Sequence, residues 1–325
     1  MEKVLITGAA GYIGSVLTRY LLERGYFVRG LDMLMFDSTS LLGVFNNKRF
    51  EFFKGDIRNR SDLVNCLKDI NTVIHLAAIV GDPACSEQPE LAEETNWQGA
   101  KLLYDTCLET KNVKRFIFAS TCSNYGKMKD TEFVNENSPL APVSLYASLK
   151  VKFEKFILDS ETRLDFTPVI LRFATAYGLS ARMRFDLTVN EFIKEIALNR
   201  LLKIYGKSFW RPYCHVEDIS RAIFLVLNAD TNNMKKNILG VGGTDENYQK
   251  KTIADLILKI HPSANIKYID KKEDPRDYRV NFDKIRNTLN FTPEIKVFDG
   301  LKEINSAIKN GIFKNTDLKH YYNKK

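Results

Sequence analysis

Near its start the chain runs V4-L-I-T7, then G8-A-A-G11-Y-I-G14, then a helical pattern through Arg24. An apolar run, three glycines at even spacing and an amphipathic stretch leave few folds open. Glycines at these positions let the backbone turn sharply out of a strand. They also let an anion approach the first turn of the following helix, where free amide donors and the macrodipole favour negative charge. Gly8, Gly11, Tyr12, Ile13 and Gly14 are therefore read as a dinucleotide cradle. The next strand, 26–31, ends on Asp32. A carboxylate there suits an adenosine ribose diol and repels a 2′-phosphate, so the expected cofactor is NAD rather than NADP.

The rhythm continues with strands over 50–53, 73–76, 115–119 and 169–172, and helices over 61–68, 91–111 and from Tyr146 onward. Such alternation predicts an α/β protein with a Rossmann-type doubly wound parallel sheet. Past Gly178 the order changes. A loop covers 182–186, helices cover 187–199, 220–228, 252–260 and 297–309, and short strands cover 237–241 and 265–269. We divide the chain into a cofactor-binding domain over 1–178 and a smaller α/β substrate lobe over 179–325. The helix near 216–228 is expected to pack back on the first domain. No repeat or Gly/Ser linker separates the two parts.

Asp56 and Ile57 follow the third strand. Asp56 has two readings, one beside the adenine ring and one as a cap for the helix near Ser61. Leu76, Ala77 and Ala78 follow the fourth strand, where small residues let the backbone pass close to a ligand. His75 is read as a satisfied strand-end histidine without a chemical role.

The chemistry is concentrated between Thr121 and Lys150. In Y146-A-S-L-K150 a phenol and an ammonium sit four residues apart on one helical face. Tyrosine is a poor base at neutral pH because its reference pKa is about 10. A cation one turn away and a nearby nicotinamide cation favour the phenolate. The hydroxyl of Thr121 can hold the oxygen whose proton is taken.

Charge and cysteine usage bear on partners. The chain carries a net charge of +8 with a pI near 9.0, but no basic stripe interleaved with aromatics. That reads as solubility and attraction to an anionic small substrate, with no nucleic acid involved. Cys66, Cys85, Cys107, Cys122 and Cys214 are scattered and form no CxxC, which fits a reducing compartment and no metal site. The opening MEKVLITG shows no charged-then-apolar leader, and no apolar run reaches the roughly 18 residues of a membrane span. A cytoplasmic protein without membrane contact is expected.

Together these pieces resemble the extended short-chain dehydrogenases/reductases, in the NAD-dependent epimerase/dehydratase group acting on nucleotide sugars. The matching stretches are T7-G-A-A-G-Y-I-G14, Asp32, G55-D56, H75-L-A-A78, N96-W-Q-G-A100, S120-T-C-S-N-Y-G126, P142-V-S-L-Y-A-S-L-K150, L171-R-F-A-T-A-Y-G178 and R211-P-Y-C-H-V-E-D218. The resemblance implies that Thr121, Tyr146 and Lys150 are the catalytic three. Tyr146 would take a proton from a sugar hydroxyl while sugar C4 gives hydride to the nicotinamide, and Lys150 would also hold the nicotinamide ribose. It further implies contacts from Asn190, Arg211 and Arg276 to the nucleoside diphosphate, since arginine forks suit phosphate. For each of these three the alternative is a structural role, such as pairing of Arg276 with Asp274 or Asp277.

Two departures from the family pattern matter. The 4,6-dehydratases carry Asp-Glu directly after the catalytic threonine, whereas this chain has Cys122 and Ser123, which argues against water elimination. Thr175 stands where many 4-epimerases carry an asparagine for the diphosphate. The run G178-L-S-A-R-M-R-F-D-L187 is spelled like enzymes that oxidise C4 of nucleotide-linked heptoses, or else Arg182 and Arg184 simply pair with Asp186. The helices over 91–111 and from Tyr146 carry apolar faces that resemble the family's dimer surface, so a homodimer is expected. The leading expectation is an NAD-dependent epimerase or dehydrogenase of a nucleotide-diphosphate sugar. A nucleotide-4-keto-sugar reductase and a non-catalytic cofactor sensor are the alternatives.

Overall fold

The computed structural model describes residues 2–36, 38–127, 133–160, 166–270 and 276–323. Asp274, weighed above as a partner of Arg276, lies outside them. The first half runs β1 (Lys3–Thr7), α1 (Tyr12–Glu23), β2 (Phe27–Asp32), β3 (Phe50–Lys54), α2 (Arg60–Cys66), β4 (Thr72–His75), α3 (Asp82–Glu87), α4 (Pro89–Glu93), a π turn (Glu94–Gly99), α5 (Ala100–Thr110), β5 (Arg115–Thr121), β6 (Phe133–Val134), α6 (Leu145–Asp159), β7 (Thr167–Phe173) and β8 (Thr175–Tyr177). The second half runs α7 (Thr188–Ala197), β9 (Leu202–Tyr205), β10 (Trp210–His215), α8 (Val216–Asn228), α9 (Thr231–Met234), β11 (Asn237–Val241), β12 (Asn247–Gln249), α10 (Lys250–Ile260), β13 (Ile266–Ile269), β14 (Arg279–Val280), α11 (Asp283–Leu289) and α12 (Val297–Lys309).

The main sheet has seven parallel strands in the order β3-β2-β1-β4-β5-β7-β11. Its central strands are buried along almost their whole length and mainly apolar, because both faces are covered. One face packs on α1 and α8 through Leu17, Leu21, Ile219, Ile223 and Val226. The other packs on α2, α5 and α6 through Leu63, Leu103, Tyr104, Phe153 and Ile157. A third apolar cluster, with Val189, Ile193, Ile253, Leu301 and Ile304, holds α7, α10 and α12 together.

Two elements differ from the sequence reading. The single helix expected over 91–111 is interrupted by the π turn. There Asn96 accepts from the Ile79 amide at 2.8 Å and donates to the Ile79 carbonyl at 2.9 Å, and Gly99 lets the turn close on Ile57, whose Cγ1 would lie 3.1 Å from an added Cβ. The strand over 237–241, read as part of the second lobe, pairs with β7 as the outer strand of the main sheet. Its buried residues Leu239 and Val241 join the core cluster of α1 and α8, and β7 offered an unpaired edge. Helix α8 does pack on α1, with Tyr20 edge-on to Phe224 at 6.0 Å. It begins at Val216, where His215 caps it and Glu217 and Asp218 occupy its first turn. Among the described residues no helix is long and apolar enough to cross a membrane.

Candidate active site

A cleft runs along the carboxyl ends of the sheet strands, where parallel α/β proteins bind ligands. At one end β1 gives way to Gly8, which sits at φ 76°, and Gly11 caps α1. The Gly8 amide donates to the Leu31 carbonyl at 2.8 Å, so the loop is clamped to β2. A Cβ on Gly8 would stand 2.8 Å from the Ala77 nitrogen, and one on Gly14 would run into the Gly8 carbonyl. The first turn of α1 thus presents amides to the cleft beside Leu76, Ala77 and Ala78. Gly11, Ile13 and Gly14 line it. Tyr12 lines it too, but its hydroxyl points away, donating to the Gly178 carbonyl at 2.6 Å and accepting from Asn190 at 3.1 Å.

Asp32 faces the cleft from the end of β2 and accepts from the amides of Ala10 (3.0 Å) and Leu34 (2.8 Å). Burial pushes its carboxyl up, against the pull of those two bonds. Asp56 and Ile57 also line the cleft. Burial alone would raise the Asp56 carboxyl, but the guanidinium of Arg58, at 2.7 Å, holds it below the usual range. The helix cap near Ser61 is Asn59, which accepts from Ser61 at 2.9 Å, so that alternative for Asp56 falls away. His75 is buried against Thr7 at 2.8 Å, and burial pushes its imidazole down to about 3.

Thr121, Tyr146 and Lys150 line the middle of the same cleft. Thr121 ends β5, and its hydroxyl accepts from the Ser123 amide at 3.1 Å. Ser144 caps α6, accepting from Ala147 at 3.3 Å, and so sets the start of the helix that carries the Tyr-Lys pair. The Lys150 ammonium donates to the Ala119 carbonyl at 2.7 Å and lies 5.9 Å from the Tyr146 ring centroid. Burial lowers Lys150 to about 8, and burial raises the Tyr146 phenol. Cys85 and Asp82 add to the rise at Tyr146, while Arg184 opposes it.

Behind this trio sits a network that the sequence reading did not single out. Glu154, one turn beyond Lys150, accepts from Ser120, from Asn124 at 2.9 Å and from Arg172 at 2.7 Å. Glu154 and Arg172 are almost wholly buried, so three stretches of chain, 120–124, α6 and β7, meet at one ion pair. Tyr146, Lys150 and Glu154 recur every fourth residue on α6, and that spacing was the available signal.

The far end of the cleft is lined by Asp82, Ser123, Thr175, Arg182, Arg184, Arg276, Tyr278 and Asn323. Arg276 pairs with Asp82 at 2.9 Å across it. Arg184 pairs with Asp186 at 2.8 Å, whereas Arg182 lies 4.3 Å over the Phe36 ring. Asn190 and Arg211 are not brought to the lining. The Asn190 amide is buried on Gly178, Tyr12 and the Arg184 carbonyl. Arg211 donates to the Trp210 carbonyl at 2.6 Å and reaches the back of the Tyr278 ring at 5.2 Å. Cys122 is buried, its thiol on the Arg172 carbonyl at 3.3 Å.

Comparison with known proteins matches this architecture. The model of the NAD dependent epimerase/dehydratase family fits residues 4–242. An uncharacterised UDP-glucose epimerase of Bacillus subtilis, YtcB, is 30% identical over 92% of this chain and 95% of its own length. The UDP-glucuronate 4-epimerase of Thermodesulfobacterium geofontis is 28% identical over 93% of this chain and 94% of its own. The crystal structure of the Bacillus cereus UDP-glucuronic acid 4-epimerase, in complex with UDP-glucuronic acid and NAD, superposes with a TM-score of 0.84 at 28% identity, covering 95% and 99% of the two chains. With its strand–glycine–helix turn, Asp32 and Tyr-Lys helix on one cleft, the chain belongs to the NAD-dependent epimerase/dehydratase family.

Proposed function

We propose that this protein is an NAD-dependent enzyme acting at C4 of a nucleotide-diphosphate sugar, as an epimerase or a dehydrogenase. The observation that carries the reading is the convergence of Thr121, Tyr146 and Lys150 on one cleft with the glycine cradle and Asp32. The cradle, Asp32 and the small residues Ala77 and Ala78 fit a dinucleotide: amides for a pyrophosphate, a carboxylate for a ribose diol, and room for its backbone. Bound NAD supplies the hydride acceptor and, when oxidised, a positive ring.

The remaining work falls to side chains. Thr121 holds the reacting hydroxyl, and Tyr146 takes its proton. Burial keeps the phenol protonated until cationic groups surround it, and Lys150 is the cation its own helix provides. Lys150 stays in place because the Ala119 carbonyl anchors it. Elimination of water finds no support, since Cys122, directly after Thr121, is buried on a backbone carbonyl and brings no acid to the sugar. For the diphosphate we look to Arg276 first, released from Asp82, then to Arg211 and Asn190 if ligand binding turns them inward.

The test is incubation of the purified protein with UDP-, GDP-, CDP- and dTDP-sugars, following product mass and nicotinamide absorbance at about 340 nm. C4 inversion or C4 oxidation of one of them supports the reading, and inertness toward all of them overturns it. The same reading places the protein in the cytoplasm, consistent with five buried free thiols. It also makes the protein a homodimer through α5 and α6, which light scattering of the purified protein checks.

A further inference from the structure

The segment 319–323 is stitched across one end of the cleft. The Tyr321 carbonyl accepts from the Phe185 amide at 3.0 Å, and the Tyr321 ring lies edge-on to Phe185 at 5.4 Å. The Tyr322 carbonyl accepts from Arg182 at 3.5 Å, and its hydroxyl accepts from Lys194 at 2.9 Å. The Asn323 amide nitrogen donates to Asp186 at 3.3 Å, and its side-chain Nδ2 donates to the Val80 carbonyl at 3.0 Å. The segment therefore joins two walls. One is the loop after β8 that carries Arg182 and Arg184, and the other is the loop after β4 that carries Val80 and Gly81 and leads into Asp82 at the start of α3.

Asn323 itself lines the cleft and is only 8% exposed. Val80 offers a carbonyl, an acceptor only, so the amide must turn its NH₂ toward it and its oxygen away. That oxygen, Oδ1, is buried and has no hydrogen-bond partner among the described residues. A buried acceptor without a donor is unfavourable and is rare in native proteins. A ligand with a donor at that point would remove the penalty.

We propose that Asn323 is a substrate-contact residue whose Oδ1 accepts a hydrogen bond from a hydroxyl of the bound sugar, with segment 319–323 as a wall of the sugar end of the cleft. This rests on the nucleotide-sugar reading above. A diphosphate or a sugar carboxylate has no proton to give at neutral pH, whereas a sugar hydroxyl does. Asp186, the carboxylate that the segment itself contacts, is paired with Arg184. Wall and pair together suit a hydroxyl-bearing sugar.

The experiment compares wild type and Asn323→Ala, loaded with NAD, by calorimetric titration. The probes are UDP-glucose, or the nucleotide sugar selected by the panel above, and the matching nucleoside diphosphate alone. NAD is titrated separately into the cofactor-free proteins. Asn323→Ala is expected to weaken the nucleotide sugar about tenfold while leaving the nucleoside diphosphate and NAD within about twofold. On the wild type, one monodeoxy analogue of the sugar should show the same tenfold loss, and the variant should not distinguish that analogue from the parent. Equal sugar affinity in variant and wild type overturns the proposal. So does equal weakening of diphosphate and nucleotide sugar, which would mark a purely structural segment. Weakened NAD would assign the donor to the cofactor instead, and also overturns it. A wild type that binds no nucleotide sugar sinks the function proposed above, whereas a binding wild type with an unaffected variant sinks only the role of Asn323.

Discussion

The ammonium of Lys150 and the carbonyl oxygen of Ala119 lie 2.7 Å apart, which ties the helix bearing Tyr146 to the strand that ends on Thr121. Thr121, Tyr146 and Lys150 are thereby held in register by a single buried contact.

That contact has a pH signature. Burial brings Lys150 from its ordinary 10.5 down to about 8, so between those values the unfolded chain holds a proton that the folded one releases. The lysine's contribution to stability is therefore present above 10.5 and is lost as pH falls through about 8, by on the order of 3 kcal/mol in all. Thermal melts of wild type and Lys150→Met from pH 7 to 10.5 should converge or cross in favour of wild type as pH rises. Parallel curves would show that the ammonium is not buried as described.

Tyr146→Phe removes the proposed base without changing the shape of the cleft wall. We expect kcat to fall by about 10²–10⁴-fold while affinity for the nucleotide sugar stays within about threefold. Stopped assays with mass detection check the first, and titration calorimetry the second. Undiminished turnover would eliminate the phenol from the chemistry.

Glu154 and Arg172 are 1% and 3% exposed and bridge at 2.7 Å. Glu154→Ala leaves a buried guanidinium without its counter-charge, which is expected to cost about 3–5 kcal/mol in urea unfolding. A loss below about 1 kcal/mol would mean that Tyr125 and the Glu136 carbonyl, both 3.2 Å from Arg172, suffice to satisfy it.

Asp32→Ala should weaken NAD about 10- to 100-fold, the size of one or two charge-assisted hydrogen bonds, and should narrow the preference over NADP. Fluorescence titration with both dinucleotides decides it. A wild type that binds NADP more tightly would reverse the assignment of strand β2.

Most strands of the main sheet were legible because each is a short apolar run, and two of them, β2 and β5, close on the cleft-lining residues Asp32 and Thr121. The helix over 297–309 was legible to the residue, its apolar positions falling on one face. What stayed hidden depended on distant partners. Nothing local in N237-I-L-G-V241 says that it completes the sheet beside β7, since the free edge it fills belongs to residues some seventy positions earlier. Asn190 and Arg211 were read from local motifs, yet their side chains are engaged by Tyr12 and Tyr278 from far along the chain. Asn323 carries no pattern at all, and only the folded path of its segment brings it to the cleft.

The place of β11 also bears on how the protein is made. Until residue 241 has left the ribosome, the backbone of β7 has an open side, and its own Val169, Ile170 and Leu171 lack part of their cover. A nascent chain that already contains every cleft-lining residue up to Lys150 therefore still exposes a sticky parallel edge. Chains stalled short of about residue 240 are therefore expected to aggregate more readily than the full chain.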